Sequence, residues 1–228
     1  MKKIRILNVI FDTSIKSYEI PAFRSAIIEK AGRDNILFHN HLSGRKFLYK
    51  YPLIQYKQIN KRPAVYCIDY GVDEIHKFFE NKDWNIMISD RWLDMKIYSL
   101  KMNQFTMQVW DKMFGYSIRN WIALNQENYK KFTRINDLKE RIGFLGRTLR
   151  ANILSFAKGI EWNVDKQIEV KIKDMQETRP AVLKGEKLLG FNLDFSSNVF
   201  LPDYMGLGKS VSKGYGTVRP VRKKVDVK

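Results

Sequence analysis

The hydrophobic pattern changes period several times along the first half of the chain, and each change predicts a new element. Residues 3–13 alternate apolar and polar side chains and include β-branched residues, which favours a strand. Residues 20–31 show helical spacing, with Pro21 in the first turn and Gly32 at the end. The same criteria predict strands at 47–57, 64–70, 84–88, 93–101 and 104–109, a turn at 61–63 and a helix at 72–81. This order is that of a ferredoxin-like domain, which RNA-recognition domains also use.

The second half is dominated by one long amphipathic helix. Asn136 is the expected N-cap of a helix over residues 137–158. Six apolar side chains share one narrow arc of this helix: Leu138, Ile142, Leu145, Leu149, Ile153 and Phe156. The opposite face is basic and carries Arg147, Arg150 and Lys158. Strands are predicted at 167–172, 181–183 and 187–195. A domain boundary is expected between residues 108 and 120 from the element count, because no linker composition marks it.

The charge of the chain narrows the class of partner. Its 228 residues include 41 Lys and Arg against 24 Asp and Glu, a net charge of +17. A field of this size attracts polyanions, above all nucleic acid or an anionic membrane. The membrane alternative is weak because no stretch approaches 18 uninterrupted apolar residues. The first apolar run, residues 4–11, is interrupted by Arg5 and Asn8, so we expect no signal peptide. The expected location is therefore cytoplasmic.

Cysteine usage excludes two further classes. The single Cys67 rules out a disulfide framework and a cysteine-rich zinc site. Cys67 lies in an apolar run, so we expect it to be a small buried side chain.

Two pairs of glycines near the C-terminus form the pattern G-h-G-x5-G-h-G. They are Gly206, Gly208, Gly214 and Gly216, and the five-residue connector contains Lys209 and Lys213. Glycine backbone can form an anion-binding concavity of amide groups, and the lysines would make it a phosphate cradle. A flexible hairpin with glycines at its turns is the alternative. The segment is neither a Walker loop nor a dinucleotide-binding fingerprint.

Two of the three histidines, His39 and His41, are close together in a predicted loop. Histidine exchanges protons near neutral pH, and RNA cleavage without a metal needs a base for the 2′-OH and an acid for the leaving 5′-oxygen. Ordinary surface residues are one alternative. A metal site is another, but no Asp or Glu occurs between Asp34 and Asp69, which argues against a hard-metal nuclease.

The combination resembles the CRISPR-associated repeat-RNA endoribonucleases, the sixth Cas family, and in particular its b-type branch. Three stretches carry the resemblance: His39-Asn40-His41 followed by YKYPLIQYK at 49–57, LRANILSFAKG at 149–159, and the four glycines. They occur in order across nearly the whole chain. The resemblance implies an α+β fold of two tandem ferredoxin-like (RRM-like) domains, residues 1–112 with the histidine loop and 113–228 with the basic helix and Gly-rich loop.

The resemblance also implies an activity: metal-independent cleavage of the repeat in a CRISPR transcript, with no cofactor. It assigns catalysis to His41 and His39, with Tyr49 as the neighbouring tyrosine and Lys46 as the nearest candidate for phosphate stabilisation. The basic helix face and the Gly-rich segment would bind RNA. Core packing is the alternative for Tyr49, and a solvated helix face is the alternative for the basic residues.

Several points are left open by the sequence. The expected partner is RNA, with a CRISPR effector complex as a further partner and a monomer or homodimer as the assembly. A non-catalytic RNA-binding subunit of such a complex is the rival function. A basic ribosomal component is a second rival, which would not explain the histidine pair.

Overall fold

The computed structural model describes residues 1–33, 35–39, 51–183 and 186–221. The strands in this part of the chain are β1 Lys2–Phe11, β2 Ile54–Ile59, β3 Arg62–Ile68, β4 Ile86–Ile88, β5 Arg91–Leu93, β6 Ile97–Met107, β7 Val109–Trp121, β8 Val170–Leu183, β9 Glu186–Val199 and β10 Thr217–Pro220. The α-helices are α1 Ile20–Ala31, α2 Ile36–His39, α3 Tyr70–Glu74, α4 His76–Phe79, α5 Gln126–Thr133 and α6 Leu138–Gly159.

The first sheet has the strand order β2-β3-β1-β6, and every neighbouring pair is antiparallel. With the separate hairpin β4–β5 left aside, β6 is the fourth strand of the domain. Listed from β6 to β2, the sheet then has the 4-1-3-2 order of a ferredoxin-like fold. Helices α1 and α4 cover one face and bury Phe23 and Phe78 against Val9 and Val65. The predicted fold class is therefore confirmed for this half.

The hairpin between β2 and β3 turns through two residues, Asn60 and Lys61. Both have positive φ, 51° and 66°, which is the mark of a type I′ turn. The turn predicted at residues 61–63 is thus displaced by one to two positions. Arg62 and Pro63 belong to β3 and pair with Ile59 and Gln58.

The second sheet has the order β10-β7-β9-β8, which repeats the 4-1-3-2 arrangement. Its first crossover contains α5 and α6. Its second crossover, residues 200–216, contains only the 3₁₀ turn Val211–Lys213 instead of a helix. The Gly-rich segment therefore replaces the second helix of the C-terminal domain.

Helix α6 closely matches the predicted one. Its N-cap is Asp137, whose carboxylate accepts a 2.7 Å hydrogen bond from the N–H of Glu140, so the prediction of Asn136 was wrong by one residue. The buried stripe consists of Leu145, Leu149, Ile153, Phe156 and Ala157. Leu138, predicted for this stripe, is the first residue of the helix and is exposed, and Ile142 is half-buried.

The first sheet contributes to the core from both faces at β1, β2 and β3, whereas β6 is largely exposed. Ile4 and Ile6 of β1 belong to a core cluster that includes Trp121 and Leu207 of the C-terminal domain. The alternate side chains, such as Val9, face α1. The two domains thus share a hydrophobic core. Cys67 is buried as expected, and this burial raises the pKa of its thiol.

Other elements differ from the sequence expectation. The helix predicted at 72–81 is two short helices that meet at Ile75, and the strands predicted at 93–101 and 104–109 are largely one strand, β6. Of the strand predicted at 47–57, only 54–57 belong to β2; residues 51–53 are not a strand, and 47–50 lie outside the described residues. The expected domain division at 112/113 falls inside β7, and Gln108 is the residue between β6 and β7. Within the described ranges, no helix combines the length and apolar character needed to cross a bilayer.

The N-cap of α6 gives a first prediction. Asp137→Ala removes the acceptor for the Glu140 N–H and should lower the free energy of unfolding by about 1 kcal/mol. Denaturant unfolding measures the change. Asp137→Asn retains a capping oxygen and is the control; equal losses in both variants would contradict the role of the cap.

Candidate functional site

The histidine region begins at α2, whose last residue is His39. The preceding residue, Phe38, is buried, and its carbonyl accepts a 3.4 Å hydrogen bond from the Tyr56 hydroxyl on β2. Leu37 packs against both core clusters. The backbone that leads into the histidine pair is therefore anchored where the two domains meet. The side chain of His39, and all of His41, Lys46 and Tyr49, lie outside the described residues, so their catalytic roles stay predictions.

The described chain resumes at Tyr51, which packs against α6. Its ring meets the ring of Phe156 edge-on, with centroids 5.1 Å apart. A Cβ at Gly159 would stand 2.5 Å from the Cβ of Tyr51, so a larger residue there would displace the tyrosine. Both described ends of the histidine region are thus fixed at the interface between the domains.

Three buried hydrogen bonds join Tyr51, Gln55 and Gly206. The Tyr51 hydroxyl donates to the carbonyl oxygen of Gly206 at 2.7 Å and accepts from Gln55 Nε2 at 2.8 Å. Gln55 Oε1 accepts from the Gly206 N–H at 3.0 Å. The N–H and the carbonyl of Gly206 are therefore both held by the N-terminal domain. Burial raises the pKa of Tyr51, so the tyrosine hydroxyl stays protonated and can donate. We call these three residues the interdomain clamp.

The Gly-rich segment is closely packed. Gly216 has φ +62° and a Cβ there would collide with the carbonyl oxygen of Leu207, while a Cβ at Gly208 would lie 2.6 Å from Trp121 Nε1. Glycine is needed at both positions because neighbouring groups approach the backbone closely.

The amide groups of this segment are largely engaged within the protein. The N–H of Gly214 donates to Val211 O at 3.2 Å and that of Gly216 to Asn120 O at 3.1 Å, besides the Gly206 bond to Gln55. Contact with a polyanion would therefore come mainly from lysine side chains. Lys209 is exposed and Lys213 is half-buried, and their role in RNA binding stays a prediction.

The predicted basic face of α6 lies opposite its buried stripe. Arg147 and Lys158 are exposed and Arg150 is half-buried. Among the described residues none of the three has an ion-pair partner. The helix therefore presents uncompensated positive charge, as RNA binding requires.

The sequence interpretation missed Lys57. This residue of β2 is 2% exposed, and its ammonium group has no hydrogen-bond partner among the described residues. Burial lowers the pKa of Lys57 to about 7. Its side chain shares the strand face of Gln55, towards the C-terminal domain, and its Nζ lies 5.9 Å from the ring centre of Tyr66. No local pattern in the sequence marks this burial, because it depends on the C-terminal domain.

Comparison with known proteins defines the family. The models of the Cas6b N-terminal domain and the Cas6b C-terminal domain match residues 2–106 and 108–221. The chain belongs to the Cas6b family. The two Cas6b matches meet between β6 and β7, where one sheet ends and the next begins.

Solved structures resemble this Cas6b over nearly its whole length. A crystal structure of Cas6b has a TM-score of 0.88 and 26% identity, covering 96% of this chain and all of that one. The crystal structure of the CRISPR RNA processing endoribonuclease Cas6b has a TM-score of 0.73 and 24% identity, with the same coverage. A type IV Cas6 crRNA endonuclease, Csf5, shares the fold at a TM-score of 0.54 and 12% identity, covering 97% of this chain and 100% of that one.

A curated relative covers part of the chain. An uncharacterized protein of Methanocaldococcus jannaschii is 34% identical over 110 residues, which are 47% of this chain and 73% of that protein.

The interdomain clamp gives a second prediction. Gln55→Ala leaves the buried N–H of Gly206 without an acceptor, and we expect a loss of about 1–3 kcal/mol in the free energy of unfolding. Denaturant titration measures it. Gln104→Ala, at an exposed position of β6, is the matched control. A loss no larger than that of the control would show that the clamp does not stabilise the fold.

Lys57 gives a third prediction. Between pH about 7 and 10.5 the unfolded chain holds a proton at Lys57 that the folded chain lacks, so stability should rise with pH across this window. Lys57→Met removes the cost of burying the charge and should stabilise the protein near pH 7 by on the order of 3 kcal/mol. Thermal unfolding at pH 6 to 10 tests this, with Lys82→Met as an exposed control. A variant less stable than the wild type at pH 7 would contradict the prediction.

Proposed function

We propose that this Cas6b protein cleaves the repeat RNA of a CRISPR transcript by metal-independent attack of a 2′-OH on the adjacent phosphate. The observation that supports it is the match of both Cas6b domain models, with His39 and His41 inside the N-terminal one. As a Cas6b protein, the chain is a CRISPR RNA processing endoribonuclease. The cleavage chemistry goes beyond what family membership shows, and it is the part that we propose.

The proposed reaction is a transesterification. A base takes the proton of the 2′-OH, the O2′–P bond forms, and the P–O5′ bond breaks while an acid gives a proton to the leaving oxygen. The products are a 2′,3′-cyclic phosphate, which hydrolyses to a 3′-phosphate, and a 5′-OH. No oxidant or metal enters the balance.

The histidine pair supplies the proton transfers. We assign them to His41 first and His39 second, because imidazole gives and takes protons near neutral pH; such transfer contributes about 10²–10⁴-fold. Tyr49 would orient the 2′-OH or the phosphate, and Lys46 would stabilise charge on the phosphate.

The packing around the histidine region favours precise positioning of the RNA. Leu37 and Tyr51, on either side of this region, are anchored where the domains meet, and Tyr51 contacts both α6 and the Gly-rich segment. Fixed flanking residues favour a defined position of the reacting groups, and such positioning is a large part of catalysis.

RNA binding would rely on phosphate contacts. The candidates are Arg147, Arg150, Lys158, Lys209 and Lys213, because the amides of the Gly-rich segment are mostly engaged within the protein. Such contacts fix the strand without reading its sequence. Affinity should fall with salt, with a slope of about −0.7 for each phosphate neutralised on a single strand.

Cleavage of the cognate repeat RNA tests the proposal and is a fourth prediction. We expect cleavage in the presence of a chelator and none when the cleavage-site nucleotide is 2′-deoxy, because that change removes the nucleophile. His41→Ala and His39→Ala should each lower the single-turnover rate by roughly 10²-fold or more. His76→Ala, an exposed histidine on α4, is the control and should leave the rate unchanged.

Each part of the proposal has its own contrary result. Loss of cleavage on chelation would overturn the metal-independent mechanism. Full activity of both histidine variants would overturn the site assignment. Tight binding of the intact repeat with no cleavage would favour the non-catalytic RNA-binding subunit.

A further inference from the structure

A cleft of about 660 Å³ lies between the two domains, and its walls are basic. Lys57 comes from the N-terminal domain, and Arg119, Lys213 and Arg219 come from the C-terminal domain. Among the described residues that line the cleft, none is Asp or Glu. A concave surface lined by one sign of charge concentrates counter-ions, so this cleft attracts anions.

Two nitrogen atoms in the cleft walls have no acceptor among the described residues. They are Lys57 Nζ and Arg119 Nη1, and both are buried. Arg119 uses its other amino group for a 3.3 Å contact with Asp194, so only part of its guanidinium is satisfied. Buried donors without acceptors are uncommon and costly, and two of them at one cleft indicate an acceptor that comes from outside the protein.

An aromatic ring on the lining of the same cleft is free to take a flat partner. Tyr18 is 73% exposed, and the Lys16 ammonium lies 5.6 Å from its ring centre. The ring of Tyr204 is already covered by the Arg219 guanidinium at 4.1 Å. An exposed aromatic ring beside cations is the usual platform for a stacked base of a single strand.

We propose that this cleft holds one nucleotide of the single-stranded RNA, with its phosphate on Lys57 and Arg119 and its base on Tyr18. The proposal rests on the RNA-binding function proposed above. Phosphate oxygens are the acceptors that both buried donors lack, and a pocket of this volume accommodates a nucleotide rather than phosphate alone. Because Lys57 and Arg119 belong to different domains, the bound phosphate would also bridge them.

Binding of a non-cleavable RNA tests the site and is the fifth prediction. The probe is the fluorescein-labelled repeat RNA with a 2′-deoxy at the cleavage nucleotide, and fluorescence anisotropy gives its Kd at fixed ionic strength. Lys57→Met should weaken binding roughly tenfold or more, because a charged hydrogen bond is lost. Lys82→Met removes the same charge from an exposed residue that does not line the cleft, and should change the Kd less than about threefold. Equal Kd values for the two variants would overturn the proposal.

A pH profile separates phosphate binding from a structural role of Lys57. The described titratable side chains around Lys57 are Tyr18, Tyr66, Arg119, Tyr204, Lys213, Tyr215 and Arg219, together with two carboxylates that pair with the arginines, Asp194 with Arg119 and Asp203 with Arg219. Because burial lowers the pKa of Lys57 to about 7, its positive charge is lost as the pH rises. Wild-type affinity should therefore fall more steeply from pH 6 to 8.5 than that of Lys57→Met. Parallel profiles would contradict the proposal.

A measurement on the wild type tests the site without any substitution. At pH 8, titration calorimetry in buffers of different ionisation enthalpy should show net proton uptake when RNA binds, because the phosphate favours the charged lysine. Absence of proton uptake would overturn the proposal. The cleavage assay is independent of these results. If the protein binds RNA through Lys57 but does not cleave it, only the proposed cleavage chemistry is contradicted. If the protein cleaves RNA but Lys57→Met has an unchanged Kd, only the proposed nucleotide site in the cleft is contradicted.

Discussion

The backbone of Gly206 is held from both sides by the other domain. Its carbonyl accepts from Tyr51 and its N–H donates to Gln55, so a segment without a helix of its own has a fixed position. Tyr51 also packs on Phe156 and Gly159 of α6. The position of Tyr51 at the end of the histidine region, the end of the basic helix and the course of the Gly-rich segment all depend on this one junction. A change in the clamp would alter these three parts together.

The structure gives the four glycines of the Gly-rich segment a different role from the one that their spacing suggests. Their spacing suggests a cradle of free amides, whereas in the structure three of the four N–H groups donate within the protein. Glycine is needed here because backbone and side chains of Leu207, Trp121 and Val211 come too close for any Cβ. These glycines therefore meet a packing requirement first, with Lys209 exposed and Lys213 half-buried between them.

Local patterns predicted the elements whose packing is regular. The bounds of α1 and the buried stripe of α6 agree with the sequence because each helix presents a single apolar face to one sheet. Strand β7 was missed because irregular pairing near Phe114 and Trp121 interrupts its alternation. Lys57 was missed for another reason: its burial depends on the C-terminal domain, which no local window contains. The histidine pair stays a prediction from the sequence, because His41 and the side chain of His39 lie outside the described residues.

The missing crossover helix has a consequence for how the chain folds. A ferredoxin-like domain normally covers its sheet with two helices of its own, but here the core cluster that contains Trp121 and Leu207 is completed by Ile4 and Tyr66 of the other domain. The C-terminal half cannot exclude water from its core alone, whereas the N-terminal half has a further core of its own beneath α1 and α4. Because the first of these cores spans both domains, they should melt in a single transition, and the second half of a nascent chain must wait for contact with the first before it is stable.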